Sequence, residues 1–209
     1  MIIINFKNYK TGKRALNLAR TVERHLPSAI VCVSALDVKE ISRKTKLKVF
    51  AQHISCFHKG RATGFIIPEF VKRDGGKGSL LNHSEHPISY EAIVRTMREA
   101  KRVGLRIVLC TSSLKQAERL KKLKPWAMAY EDKQLIGSGR SITKYKLRDV
   151  AKFVKLLNRS RIIPLCGAGV SSSDDVVASR ELGCKGVLIA SAVAKAKEPE
   201  KLLKEISKV

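Results

Sequence analysis

At 209 residues, with 44% hydrophobic and 29% charged side chains, the chain is long enough to bury one sizeable core and is not of disordered composition, so one domain spanning residues 1–209 is expected. Forty-two Lys and Arg against 18 Asp and Glu give a formal charge of +24, which raises nucleic acid, anionic membranes and anionic metabolites as partners without choosing among them. No window holds about 18 uncharged apolar residues, and the opening MIIINFKNYK has only three isoleucines before Asn5, which argues against a membrane span or secretory signal and for a cytoplasmic protein.

Short β-branched runs alternate with longer amphipathic ones along the whole chain. The strand candidates are IIINF (2–6), AIVCVS (29–34), KVFAQH (48–53), GSLLN (78–82), RIVLCT (106–111), WAMAYE (126–131), RIIPLC (161–166) and KGVLIAS (185–191). These are continuous apolar runs of the kind that strands covered on both faces require. Between them lie segments such as KLRDVAKFVKLL, where Leu147, Val150, Val154 and Leu157 recur at spacings of three and four, the signature of a helix with one buried stripe. Ser89 stands before YEAIVRTMREAKRVG, Ser172 lies three residues before Asp175, and Pro199 is placed to open a last helix; these are helix starts, and Gly104 and Gly183 are stops. Strict alternation implies right-handed parallel crossovers, and eight units make a closed (β/α)8 barrel, an α/β TIM barrel. An open doubly wound sheet is the rival, but NFKNYKTG stands after the first strand where its Gly-rich signature belongs. Such barrels typically need about 250 residues, so some helices should be trimmed, most plainly around PEFVKRDGG at 68–76.

The five cysteines at 32, 56, 110, 166 and 184 are odd in number, widely spaced and without a CxxC, which fits free thiols of a reducing compartment. The basic residues are spread along the chain, as in Lys121, Lys122 and Lys124 or Arg159 and Arg161, and aromatics make up only 5%. No basic and aromatic platform for nucleic acid stands out, so nucleic acid is not an expected partner. Steering of an anionic substrate is the role such a surface suggests.

Active sites of barrels lie at the C-terminal ends of the strands. There the sequence places Asn5 and Lys7; Asn82, His83 and Glu85; Glu131; Gly167, Ala168 and Gly169; and Ala190 and Ser191. Each has an ordinary reading alone: Lys7 as a surface lysine, Glu131 as a strand-end carboxylate, the glycines as turn residues. Together they bring a base, an imidazole, a cation and two backbone-rich loops to one rim. His83, between Asn82 and Ser84, is well placed for a fixed tautomer. The segment EDKQLIGSGRSIT at 131–143 reads as a carboxylate carrying a lid with Gly137 and Gly139, one that excludes water over substrate. GAG followed by the SSSDD helix start offers N–H groups to a phosphate dianion. Proton abstraction next to a carbonyl in a small phosphorylated substrate is the chemistry this set allows.

N-x-K after strand 1, NHSE after strand 4, AYE with LIGSG after strand 6, CGAGVSS after strand 7 and GVLIAS after strand 8 together resemble the triosephosphate isomerase family in its compact archaeal form. The resemblance covers essentially the whole chain in the right order. It implies a glycolytic and gluconeogenic isomerase that interconverts dihydroxyacetone phosphate and D-glyceraldehyde 3-phosphate with no metal or organic cofactor. By the same resemblance Glu131 is the base, His83 the neutral imidazole that polarises the carbonyl, and Lys7 and Asn5 its helpers. Glu85 is then a supporting carboxylate near Lys7, and Gly137, Gly169 and Ser191 are phosphate donors. Segment 52–64, QHISCFHKGRATG, corresponds to the loop that such enzymes push into a neighbouring subunit, so a homodimer or homotetramer is implied. His53 and His58 within it are read as interface residues, a metal pair being the less favoured alternative for want of a third ligand.

The chain also departs from the family pattern. Asp132 and Lys133 stand where a proline usually stiffens the lid hinge, Ala192 where the archaeal pattern has glycine, and His86 and Pro87 where an arginine is common. Two other readings remain open on residues alone. One is a different barrel such as a Schiff-base aldolase, which needs a desolvated lysine that strands 4 to 6 lack. The other is a barrel turned to nucleic-acid binding or a structural role, suggested by the charge.

Overall fold

The computed structural model describes residues 1–132, 135 and 141–209. Its strands are β1 (Ile2–Asn5), β2 (Ile30–Val33), β3 (Lys48–Ala51), β4 (Gly78–Leu81), β5 (Arg106–Thr111), β6 (Ala127–Tyr130), β7 (Ile163–Cys166) and β8 (Gly186–Ile189). They close in chain order into a parallel barrel, β8 returning to β1, as the alternation of runs requires. Most strands are shorter than the apolar runs that announce them, because the polar ends leave the ladder and become the rim.

The helices are α1 (Gly12–His25), α2 (Val38–Lys44), α3 (Pro68–Arg73), α4 (Tyr90–Val103), α5 (Leu114–Leu120), α6 (Ile142–Tyr145), α7 (Leu147–Leu157), α8 (Ser173–Glu181), α9 (Ser191–Ala194) and α10 (Pro199–Ile206). The start signals act as expected. Ser89 accepts from the Ala92 N–H, Ser172 and Asp175 form a reciprocal capping box, and Pro199 opens α10. Gly104 closes α4 with a φ of 70°, a conformation that only glycine adopts without cost. The trimmed helix falls at α3, six residues long. One stripe is corrected: α7 buries Val150, Phe153 and Leu157, while Leu147 is 47% exposed and Val154 only partly covered. The reason is Phe153, which stacks on Tyr130 at 5.4 Å between ring centroids and turns its own face of the helix to the sheet.

Side chains alternate along each strand, and the alternation sorts the core into two shells. Ile3, Cys32, Phe50, Leu80, Val108, Ala129, Leu165 and Leu188 fill the barrel, while Ile4, Val31, Val49, Leu81, Leu109, Met128, Cys166 and Ile189 meet the helices. All five cysteines are free, and four of them are buried. The interior is fitted around Phe50. A Cβ on Gly78 would lie 2.2 Å from the Arg106 carbonyl oxygen and 2.5 Å from the Phe50 ring. Gly78→Ala is therefore expected to lower stability by about 1–3 kcal/mol through overpacking, read as a fall in the urea midpoint at unchanged m-value.

Candidate active site

The parity that sends Ile3 and Ala129 into the barrel also carries the next inward residues, Asn5 and Glu131, to its C-terminal mouth, and both are buried. The Asn5 Oδ1 accepts from the Lys7 N–H at 2.9 Å, holding Lys7 at a left-handed φ of 45°. The Lys7 carbonyl accepts from Gln52 Nε2 at 2.8 Å, and its Nζ lies 2.6 Å from Glu85 Oε1. The ammonium is thus fixed at both ends.

NHSE is built the same way. Asn82, itself left-handed at φ 57°, donates through Nδ2 to the Cys110 carbonyl at 3.0 Å and accepts the Ile88 N–H at 3.2 Å. This tie turns the chain so that buried His83 faces across the mouth. The Glu85 N–H donates to His83 Nδ1 at 3.2 Å. A nitrogen that accepts carries no proton, so the ring is neutral with its hydrogen on Nε2. That Nε2 lies 3.6 Å from Glu131 Oε1. Glu131 Oε2 is buried and has no hydrogen-bond partner among the described residues. Gly167 makes room for this carboxylate: a Cβ there would come within 3.0 Å of both Cγ and Oε1 of Glu131. The charge is felt below, where burial first and Glu131 second push the Cys32 and Cys110 thiols up. They are inert fillers of the barrel.

Beside this carboxylate a cleft of about 390 Å³ opens between Glu131 and His83 on one side and Gly169, Ser171 and Ser191 on the other. Ala168 and Gly169 are both left-handed, at φ 67° and 72°, which folds the loop after β7 back on itself. The Gly167 N–H is engaged by the Tyr130 carbonyl, so the part Gly167 plays is the room it gives the Glu131 side chain. Ala190 caps α9, whose opening N–H groups at Ser191 and Ala192 have no intrahelical acceptor. Ala192 lies within α9 and not in the left-handed region, so the methyl that replaces glycine strains nothing there. Gly137, and with it most of the expected lid, lies outside the described residues. Asp132, in place of the family proline, has its Oδ2 3.3 Å from Lys146 Nζ, an ion pair joining the first residue after Glu131 to the turn before α7. His86 packs at a tilt against His53, ring centroids 4.3 Å apart, and His58 Nδ1 sits 2.9 Å from Glu99, so the two histidines of 52–64 take separate partners. Among the described residues no three His, Cys, Asp or Glu side chains form a metal-ligand group.

Two cleft residues, Tyr9 and Lys195, and one residue behind the cleft, Asp175, escaped the sequence reading. Lys195 lies over the Tyr9 ring at 4.8 Å and both line the cleft, bringing in a second cation four residues beyond the last strand-end motif. Asp175 was legible only as a cap. It is buried and accepts from the N–H groups of Ser171 and Ser172 and from Thr143 Oγ1 at 3.0 Å, while Ile142 N–H bonds the Ala168 carbonyl. One carboxylate thereby ties the β7 loop to the chain that follows the lid. Burial pushes the Asp175 carboxyl up, but the Ser171 N–H and the hydroxyls of Ser141, Thr143 and Ser172 outweigh it and hold it below the usual aspartate value.

Barrels with an acid–base pair at this mouth are enzymes, and a dry carboxylate facing a neutral imidazole beside an anion cleft has the chemistry of an aldose–ketose isomerase. The family model for triosephosphate isomerase matches residues 1–206. The triosephosphate isomerase of Saccharolobus solfataricus is 35% identical, over 98% of this chain and 93% of that protein. Those of Archaeoglobus fulgidus (36%, 99% and 96%) and Methanocaldococcus jannaschii (33%, 100% and 99%) are similarly related. A crystal structure of triosephosphate isomerase from Bartonella henselae shares the fold, with a TM-score of 0.77 over 98% of this chain and 96% of that one at 18% identity. The chain belongs to the triosephosphate isomerase family.

Two measurements probe this scaffold. Gly167→Ala presses on the Glu131 carboxylate and is expected to lower kcat by about ten- to a hundredfold with little change in Tm, the cost of misplacing a base by a fraction of an ångström. Asp175→Asn should cost about 1–3 kcal/mol at neutral pH. Because the native carboxyl is depressed, its contribution is present above the unfolded pKa of about 4 and is lost as pH falls through the lower native value. Denaturation of the two proteins should therefore converge in acid.

Proposed function

We propose that this chain interconverts dihydroxyacetone phosphate and D-glyceraldehyde 3-phosphate with Glu131 as the single base. The carboxylate takes a proton from C1 of the ketose, and the electron pair moves to the C2 oxygen. His83 meets that oxygen with its Nε2–H, and Lys7 adds a nearby positive charge, so the enediolate forms against fixed dipoles and not against water. Glu131, now a carboxylic acid, returns the proton to C2, while the hydroxyl proton of C1 moves through His83 to the C2 oxygen and leaves the aldehyde. Triosephosphate isomerase is itself the standard instance of a carboxylate base paired with a neutral imidazole electrophile. Asn5 and Glu85 position Lys7. The phosphate is held by the N–H groups around Gly169 and Ser191, with Gly137 as a further donor, Ala168 and Ala190 shaping the cleft and Gly167 giving the base room. The observation that carries this reading is His83: its Nδ1 is occupied by the Glu85 N–H, so its one ring proton points toward Glu131 and the substrate.

The same reading extends to context. The chain acts as one domain in cytoplasmic glycolysis and gluconeogenesis, and it assembles as a homodimer or homotetramer through segment 52–64. In support, Phe65 is 49% exposed and its ring lies 4.0 Å from that of Phe57, an apolar pair suited to a second copy. No helix among the described residues is long and apolar enough to cross a membrane.

A coupled assay on glyceraldehyde 3-phosphate tests the assignment. Glu131→Ala is expected to lower kcat by at least about a thousandfold. Lys195→Met should instead raise KM several-fold at nearly constant kcat, as loss of a charge that binds substrate and transition state alike. Wild-type turnover equal to that of Glu131→Ala would refute the proposal.

A further inference from the structure

Seven cations that are far apart in the sequence come together at the end of the barrel away from the isomerase site. Every crossover returns the chain to that floor, so a residue just before or at the start of each strand recurs on one ring. Lys46 and Lys48 stand there for β3, Lys77 for β4, Arg106 for β5, Lys124 for β6, Arg161 for β7 and Lys185 for β8, and all are exposed. The sheet ladder fixes their neighbourhood: Lys77 N–H bonds the Val49 carbonyl, and Arg106 N–H bonds the Lys77 carbonyl, which sets adjacent members about 5 Å apart at the backbone. Strand parity refines the picture. Phe50 and Val108 point into the barrel, so Lys48 and Arg106, two residues earlier, point toward the axis at its floor, while Arg161 stands just before β7, whose Ile163 N–H bonds the Trp126 carbonyl. Half-buried Trp126 lies there, packed on Phe50 at 5.8 Å and covered by the Arg106 guanidinium at 5.2 Å.

None of these seven cations has a carboxylate within ion-pair distance among the described residues, whereas Arg24, Lys44, Arg73, Arg102 and Lys121 on the helices do. Helix-end cations such as Arg24, Arg43 and Lys72 also complement the carbonyl ends of their helices, and the strand-start ring has no such local role. Of the nearby acids, Glu23 accepts the Lys46 N–H and Asp74 is forked by Arg73. An unneutralised ring of this kind costs self-repulsion unless a polyanion covers it.

We infer that the N-terminal face of the barrel docks the phosphate backbone of nucleic acid, with Lys48, Arg106 and Arg161 around Trp126 as its centre and Lys46, Lys77 and Lys185 as its rim. An anionic membrane fits less well. The loops of this ring (45–48, 76–77, 104–106, 124–126, 159–162 and 182–185) carry no exposed large apolar side chain to insert, while phosphodiester contacts require cations alone. Recognition is through charge and not sequence, since the ring offers no set of side chains arranged to read base edges.

Fluorescence anisotropy of a labelled oligothymidylate across a salt series tests this. The centre variant is Lys48→Gln/Arg106→Gln/Arg161→Gln and the rim variant Lys46→Gln/Lys77→Gln/Lys185→Gln; a control, Lys13→Gln/Arg20→Gln/Lys152→Gln, removes the same charge from the outer helices. The rim variant carries the test if the centre variant does not fold, and isomerase activity, built at the other end, reports folding in all three. Wild type is expected to bind at low salt with a linear log K against log salt. Either floor variant should lose about two units of slope, on the order of 0.7 per phosphate contact, and at least about tenfold in affinity, while the control stays near wild type. Equal weakening in the control would overturn the inference, as would absent binding at low salt. So would equally tight binding to phosphatidylserine-rich vesicles that depends on the same residues.

Discussion

The constraint around which this molecule is organised is a carboxylate kept dry. Glu131 faces the barrel axis because Ala127 and Ala129 do, and one of its oxygens has no hydrogen bond among the described residues. Burying an unpaired charge costs several kcal/mol, and the surroundings limit that cost without cancelling the basicity. Lys7 is tied to Glu85, and among the described residues no lysine or arginine pairs with Glu131. His83 is neutral and presents an N–H at 3.6 Å, too long to satisfy the carboxylate and short enough to share a small substrate with it. Gly167 gives the side chain room, and Cys32 and Cys110 beneath it are held as thiols. A carboxylate with one oxygen unengaged at the mouth of the cleft is placed to meet a small substrate, and this is the geometry on which the proposed first step rests.

The scaffold holds this arrangement through size alternation and short ties more than through ion pairs. Phe50 fills the barrel only because Gly78 opposes it and alanines line β6. Above that layer the rim is fixed by side chains bonding backbone: Asn5 to Lys7, Gln52 to Lys7, Asn82 to both β5 and its own loop, and Asp175 to the β7 loop. Each tie holds a residue in or next to a left-handed conformation, so the strain of Lys7, Asn82 and Ala168 is held locally, where the site needs sharp turns.

Much of this was legible in the sequence because the barrel repeats one rule eight times. Continuous apolar runs gave the strands, and polar residues at their ends gave Asn5, Lys7, His83 and Glu131 before any coordinates. The unread parts depend on distance in space. Phe153 won its place in the α7 stripe over Val154 through Tyr130, a partner on another element. Lys195 reaches the cleft through Tyr9, and the Asp132 to Lys146 pair spans the hinge where a proline was expected. The strand-start cations looked dispersed because they are separated by whole βα units, and the same repetition that made the strands readable collects those seven on one face.

The two ends of the barrel thus carry opposite designs, a mouth built around the buried Glu131 carboxylate and a floor lined by exposed cations. The central claim concerns the mouth, and proton transfer through Glu131 is tested most directly by converting dihydroxyacetone phosphate in deuterium oxide and trapping the aldose product for NMR. A base that exchanges with solvent while it holds the proton should place deuterium at C2 of the glyceraldehyde 3-phosphate. Deuterium placed at C2 by Glu131→Ala as fast as by wild type would mean that another group carries the proton, and the role given to Glu131 would be wrong.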